Sequence, residues 1–171
     1  MPVFRCLALA FFMIASVSSS IAAAAGPTVL FDPATSEVLS QDRAGEPWYP
    51  ASITKLMTAY VIFGKLKAGQ LTLDQKLPVS ELAHSQPPSK IGVPVGGTVS
   101  VDFALQALLV YSANDMAYVL AEGADGSIAA FASEMNARAL QLGMTGSHFV
   151  NPNGLFDPRH ISTARDIAIL A

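Results

Sequence analysis

The chain has 171 residues, enough for one domain of ordinary size, with ten Lys+Arg against thirteen Asp+Glu and a net charge of −3. It is 51% hydrophobic and only 13% charged, well below the usual charged share of about 25%. It contains no basic run, which excludes the electrostatic footprint of a nucleic-acid binder.

Part of the apolar excess lies at the front. "MPVFRCLALAFFMIASVSSSIAAAAG" sets Arg5 before the apolar run Cys6 to Val17, and small residues follow. That order is the three-part pattern of a secretory signal peptide. The apolar run is too short to cross a bilayer, which takes about 20 residues. Ala22 to Ala25 offer A-x-A sites, so cleavage is predicted after Ala24 or Ala25. Residues 1–25 would then be leader, and 26–171 an exported domain of the periplasm or cell envelope. Without the leader, nine Lys+Arg face thirteen Asp+Glu, a net charge of −4. Cys6, the only cysteine, leaves as well, so no thiol, disulfide or thiolate metal site is expected. No second hydrophobic span and no amphipathic basic helix argue for a membrane anchor elsewhere in this chain.

"GPTVLFDPATSEVLSQD" reads as a hairpin, with Val29 and Phe31 leading in, Asp32-Pro33-Ala34-Thr35 turning, and Val38 and Leu39 leading out. Ile53 to Lys67 reads as a helix with Leu56, Ala59, Tyr60 and Phe63 at helical spacing and Gly69 beyond its end. A long stretch of short strands and loops follows. Ser100 then caps a helix to about Val110 whose near-continuous apolar character predicts burial at the centre of the domain. Tyr111 to Asn114 break it, and helix resumes from Asp115 to Glu122, ending at Gly123. Ser127 caps another helix, closed by Gly143. Thr163 and Asp166 form an S/T-x-x-D capping box before "IAILA".

Chemistry enters at "YPASITKLMTAY". Ser52 and Lys55 are three residues apart at a helix start, and residues so spaced share one helical face. The pair is either a serine cap with a solvated lysine or a nucleophile with its base. Serine needs a base, and lysine serves as one only when neutral, which an apolar setting promotes. The free N–H groups of a helix start, and the serine's own N–H, suit an oxyanion. A second element, "LLVYSANDMA", breaks an apolar stretch with Ser112, Asn114 and Asp115. Ser112 and Asn114 suit proton relay and amide binding, or helix capping. Asp115 reads as a helix-start residue and "NPNGL" as a structural turn. His84, His148 and His160 lack paired-ligand spacing, so no metal site is predicted, and no G-x-S-x-G elbow is present.

S-x-x-K at a helix start, with S-x-N some sixty residues later, is the signature of penicillin-binding proteins and β-lactamases. The chain resembles the low-molecular-weight branch, the D-alanyl-D-alanine carboxypeptidases. The resemblance runs through "DPATSEVLSQDRAGEPWYPASITKLMTAY", "SKIGVPVGGTVSVDFALQALLVYSANDMA" and "LGMTGSHFVNPNGLFDPRHISTARDIAILA". It implies an α/β (α+β) fold of the β-lactamase/transpeptidase type. Ser52 would be the acylated nucleophile and Lys55 the general base. Ser112 and Asn114 would be the second catalytic element, with Asn114 also binding substrate. The partners would be the D-Ala-D-Ala end of a peptidoglycan stem peptide and β-lactam antibiotics, with neither metal nor organic cofactor. One departure stands out, since the family's third motif, K-T-G, has no match: none of Lys55, Lys65, Lys67, Lys76 and Lys90 precedes Thr-Gly. The expectation is therefore the N-terminal part of that domain, truncated before its C-terminal strands and barely active alone. A β-lactamase-like hydrolase and a non-catalytic peptidoglycan-binding remnant are the alternatives.

Overall fold

The computed structural model describes residues 26–171, and the leader expected over residues 1–25 lies outside them. The hairpin forms where the turn chemistry puts it. β1 (Thr28–Phe31) pairs antiparallel with β2 (Val38–Asp42), Val29 opposite Gln41, and the register shifts between Leu30 and Phe31. Asp32 organises the turn by accepting from the Ala34 N–H at 2.8 Å.

A 3₁₀ turn over Ala51–Ile53 leads into α1 (Thr54–Lys67). Ser52 thus belongs to the turn before the helix and not to its first turn. The apolar residues read at helical spacing do not mark the buried face of α1. Of Leu56, Ala59, Tyr60 and Phe63 only Ala59 is buried, and Phe63 is 50% exposed. α1 is apolar on most of its surface, so spacing cannot choose its inner face. Packing against the later helices chooses Met57, Thr58, Val61 and Ile62.

Between residues 68 and 100 the chain forms a second ribbon, β3 (Lys76–Pro78) antiparallel to β4 (Thr98–Ser100), and a one-turn helix α2 (Glu81–His84) capped by Ser80. Neither was separable from loop in the sequence. Ser100 caps α3 (Val101–Val110) as expected, accepting from Phe103 N–H at 3.2 Å. α3 is not the central helix, however. Ala104, Leu105 and Leu108 are buried, but Phe103 and Leu109 are each 45% exposed.

The centre belongs to α4 (Asn114–Asp125), which packs against α1, α2, α3, β3 and the following helix α5 (Ile128–Leu142). Its buried residues include Met116, Ala117, Val119 and Leu120. Gly123 lies inside α4, where the sequence reading ended the helix. A Cβ at this position would sit 2.6 Å from Leu77 Cδ2, so the glycine lets α4 close on β3. Gly126, in the left-handed conformation, ends the helix instead. Ser127 caps α5 and Gly143 closes it, both as expected.

The last segment returns across the molecule. Trp48 and Ser162 exchange backbone hydrogen bonds of 2.8 and 2.9 Å, tying it to the residues before the 3₁₀ turn. Thr163 caps α6 (Ala164–Leu170) by accepting from Asp166 N–H. The Asp166 carboxylate, expected to complete a local capping box, accepts instead from Gly146 N–H and Ser147 Oγ–H, which pins the turn after α5.

Candidate active site

Two backbone turns meet at one amine. Lys55 Nζ lies 3.0 Å from Ser52 Oγ and 3.1 Å from Ser112 Oγ. The first joins residues three apart, one in the 3₁₀ turn and one in the first turn of α1. The second spans 57 residues and exists because α3 ends beside the start of α1. Lys55 is 3% exposed, and burial lowers its pKa to about 8. Burial disfavours the charged form, so the amine is mostly charged at neutral pH but gains a larger neutral fraction there than an ordinary lysine.

Both turns carry a non-glycine residue in the left-handed region: Ala51, just before Ser52, at φ 49°, and Ser112 at φ 57°. A Cβ makes that conformation unfavourable by about 1–2 kcal/mol. Ser112 holds the left-handed position after a helix end that is usually glycine. Glycine there would carry no hydroxyl to set against Lys55. Ser52 is exposed and Ser112 half-exposed, so the cluster opens to solvent on its hydroxyl side.

Asn114 sits at the start of α4, 5% exposed. Its side-chain N–H₂ donates to the carbonyls of Pro87 and Pro88 at 3.0 and 3.2 Å, and its backbone N–H donates to Ser89 O at 2.7 Å. It therefore pins the 87–89 loop beside the cluster, which leaves Oδ1 as the side-chain atom for a ligand. Asp115, read as a helix-start residue, occupies the first turn of α4 and does more. Its buried carboxylate accepts from Ile91, Gly92 and Met116 N–H and holds the same loop in place.

The histidines lie apart in three settings, on Val93 O, Arg159 O and Thr54 Oγ1. Among the described residues no three His, Cys, Asp or Glu side chains gather as a metal site. An apolar groove of about 350 Å³, lined by Phe31, Trp48, Tyr49, Ile53 and Ile167 among others, adjoins the Ser52 turn, but neither Lys55 nor Ser112 lines it. Sequence reasoning passed over Gly154 and His160. Gly154 touches Ala51 and His160 touches Thr54, on either side of Ser52; the sequence offered only a turn motif for Gly154 and a histidine without paired-ligand spacing for His160.

Solved structures place this fold among the penicillin-binding proteins. The D-alanyl-D-alanine carboxypeptidase DacD from Francisella tularensis superposes with a TM-score of 0.83 at 38% identity, over 86% of this chain and 36% of that one. Penicillin-binding protein D2 from Listeria monocytogenes, in its cefotaxime-bound form, gives 0.74 at 32% identity, over 85% and 60%. The α+β, transpeptidase-like fold expected from the motifs is thus the one observed. The sequence profile of the D-alanyl-D-alanine carboxypeptidases, peptidase S11, matches residues 14–171, and the chain belongs to that family. The D-alanyl-D-alanine carboxypeptidase DacF of Bacillus subtilis (strain 168) is 35% identical over 154 residues, 90% of this chain and 40% of its own length. The chain spans well under half of that relative.

Proposed function

We propose that this chain carries the acylating centre of a serine-type D-Ala-D-Ala carboxypeptidase acting on peptidoglycan stem peptides. The observation that carries the reading is the buried Lys55 amine, within hydrogen-bond distance of both Ser52 and Ser112. Neutral Lys55 accepts the Ser52 proton, and Ser52 Oγ attacks the penultimate D-Ala carbonyl. Ser112 hands a proton from Lys55 to the departing D-alanine nitrogen as the C–N bond breaks. Water then hydrolyses the ester and frees Ser52. Asn114 Oδ1 accepts from a substrate amide. β-Lactams enter the same path as substrate mimics, in keeping with the cefotaxime-bound Listeria relative. Residues 1–25 direct export to the envelope, and the mature N-terminus is Ala25 or Gly26, which intact-mass measurement of the exported protein checks. No helix among the described residues is long and apolar enough to cross a membrane.

The test is a labelled penicillin on the whole protein. The label is expected on the peptide containing Ser52, and Ser52→Ala removes it. Label on Ser112 rejects the assignment. Rapid release of hydrolysed penicillin, in place of a persistent adduct, favours the β-lactamase alternative.

A further inference from the structure

The loop "NPNGLFDPRH" lies against the back of the nucleophile turn. Asn151 shapes it, with Oδ1 accepting from Gly154 N–H at 2.8 Å and Nδ2 donating to Leu155 O at 2.9 Å. The closed loop then meets the 3₁₀ turn and α1 at three points. Gly154, at φ 80°, packs on Ala51, and a Cβ at this glycine would overlap Ala51 O. Pro152 O accepts from the buried Thr58 hydroxyl at 2.7 Å. His160 Nε2 lies 2.8 Å from Thr54 Oγ1. These contacts fall on the residue before Ser52, on the residue two after it, and one helical turn further on.

The histidine's roles are fixed by its surroundings. Val150 N–H donates to Nδ1 at 3.1 Å, so the proton of the neutral ring sits on Nε2 and is donated to Thr54 Oγ1. The ring is 2% exposed and stacks edge-on with Phe149, their centroids 5.6 Å apart. Burial lowers its pKa to about 4, which keeps it neutral where Lys55 changes charge. A strained residue such as Ala51 persists only where its surroundings over-determine it, and this loop is the element packed on it.

We propose that His160 is a positioning residue for the nucleophile: by donating from Nε2 to Thr54 it fixes the turn that sets Ser52 against Lys55. The inference rests on the carboxypeptidase reading only for its kinetic consequence. Its structural consequence, the distance between Ser52 Oγ and Lys55 Nζ, is independent of any substrate.

The experiment uses the whole protein and four variants. Asparagine at 160 keeps an acceptor near Nδ1 for Val150 and removes the Nε2 donor. Glutamine reaches the Nε2 position and restores a donor to Thr54. His160→Asn and Thr54→Val are expected to slow acylation by a labelled penicillin about 10- to 100-fold, with little change in the affinity of the first, non-covalent complex. His160→Gln and Thr54→Ser are expected to recover most of the rate. Crystal structures of His160→Asn and Thr54→Val should show Ser52 Oγ outside hydrogen-bond distance of Lys55 Nζ. Equal rate losses in the Asn and Gln variants that track a shared drop in thermal midpoint overturn the proposal. An unchanged Ser52–Lys55 distance in either structure also overturns it. If His160→Asn does not fold, Thr54→Val decides from the other side of the bond. Absence of labelling in the wild type overturns the carboxypeptidase reading alone, because the crystallographic distance still decides the positioning role.

Discussion

The two serine turns around Lys55 are alike in chemistry and opposite in support. Each sets a hydroxyl within 3.1 Å of the amine, and each contains an L-residue in the left-handed region. The Ser112 turn is held largely by its own neighbourhood. Tyr111 and Ala113 N–H both reach back to Ala107 O, and Asn114 anchors the other side to the 87–89 loop. The Ser52 turn is held from outside, by a segment some hundred residues later in the chain, through Gly154 and His160. A turn at a helix end can satisfy its backbone locally. One that starts a helix with a strained residue needs a partner brought by tertiary folding.

Removing the amine tests what the turns share and gives the largest effect. Lys55→Ala should slow penicillin acylation by about 10² to 10⁴, the usual worth of a positioned base. Lys55→Arg should lose about as much, because a guanidinium keeps its charge and cannot act as base. Normal labelling of the arginine variant would show that the role of Lys55 is its charge.

Gly154→Ala strikes the Ser52 turn alone. A methyl group cannot share space with Ala51 O, so the loop must leave α1. Stability should fall by at least about 2 kcal/mol, read from the urea midpoint, and acylation should fall with it. Wild-type stability would mean that the loop is not what holds the turn.

The pH profile reports on the amine itself. With a pKa of about 8, Lys55 is mostly charged at pH 7 and mostly neutral at pH 9, so the acylation rate should rise roughly tenfold between them. The sign for stability follows from the same shift. The folded pKa lies below the unfolded value of 10.5, so between about 8 and 10.5 the unfolded chain holds more protons. The Lys55 contribution to stability therefore rises with pH across that window. A thermal-denaturation series in which Lys55→Met flattens the rise checks it. His160 acts in the acid range. Its folded pKa of about 4 lies below 6.5, so its contribution is present above pH 6.5 and is lost as pH falls toward 4.

The smallest effect separates the hydroxyl of Ser112 from its backbone. Ser112→Gly and Ser112→Ala both remove the hydroxyl and should slow acylation equally. The glycine variant should be more stable than the alanine variant by about 1 kcal/mol, because it removes the Cβ from a left-handed residue. Equal stabilities would mean that φ 57° carries no strain there.

The hairpin, the caps at Ser100, Ser127 and Thr163, and the glycine end at Gly143 were legible in the sequence, because each depends on residues within a few positions. So was the pairing of Ser52 with Lys55, which stand three residues apart at a helix start. Which face of α1 is buried was not legible. The helix is apolar on both sides, and only the packing of α3, α4 and α5 selects Met57 and Ile62 over Tyr60 and Phe63. α3 is more apolar than α4, yet α4 occupies the centre. Hydrophobicity measures what a helix gains by burial, whereas position depends on how many neighbours the topology supplies. Gly123 looked like a helix end because the close approach to Leu77 that explains it lies 46 residues away in sequence. Gly154 looked like a turn residue and His160 like a histidine without a role for the same reason. Sequence alone determined which residues pair, Ser52 with Lys55, since they stand three apart at a helix start. Tertiary structure decided what holds that pair in place, since Ser112, Gly154 and His160 reach it only when distant segments fold onto one helix.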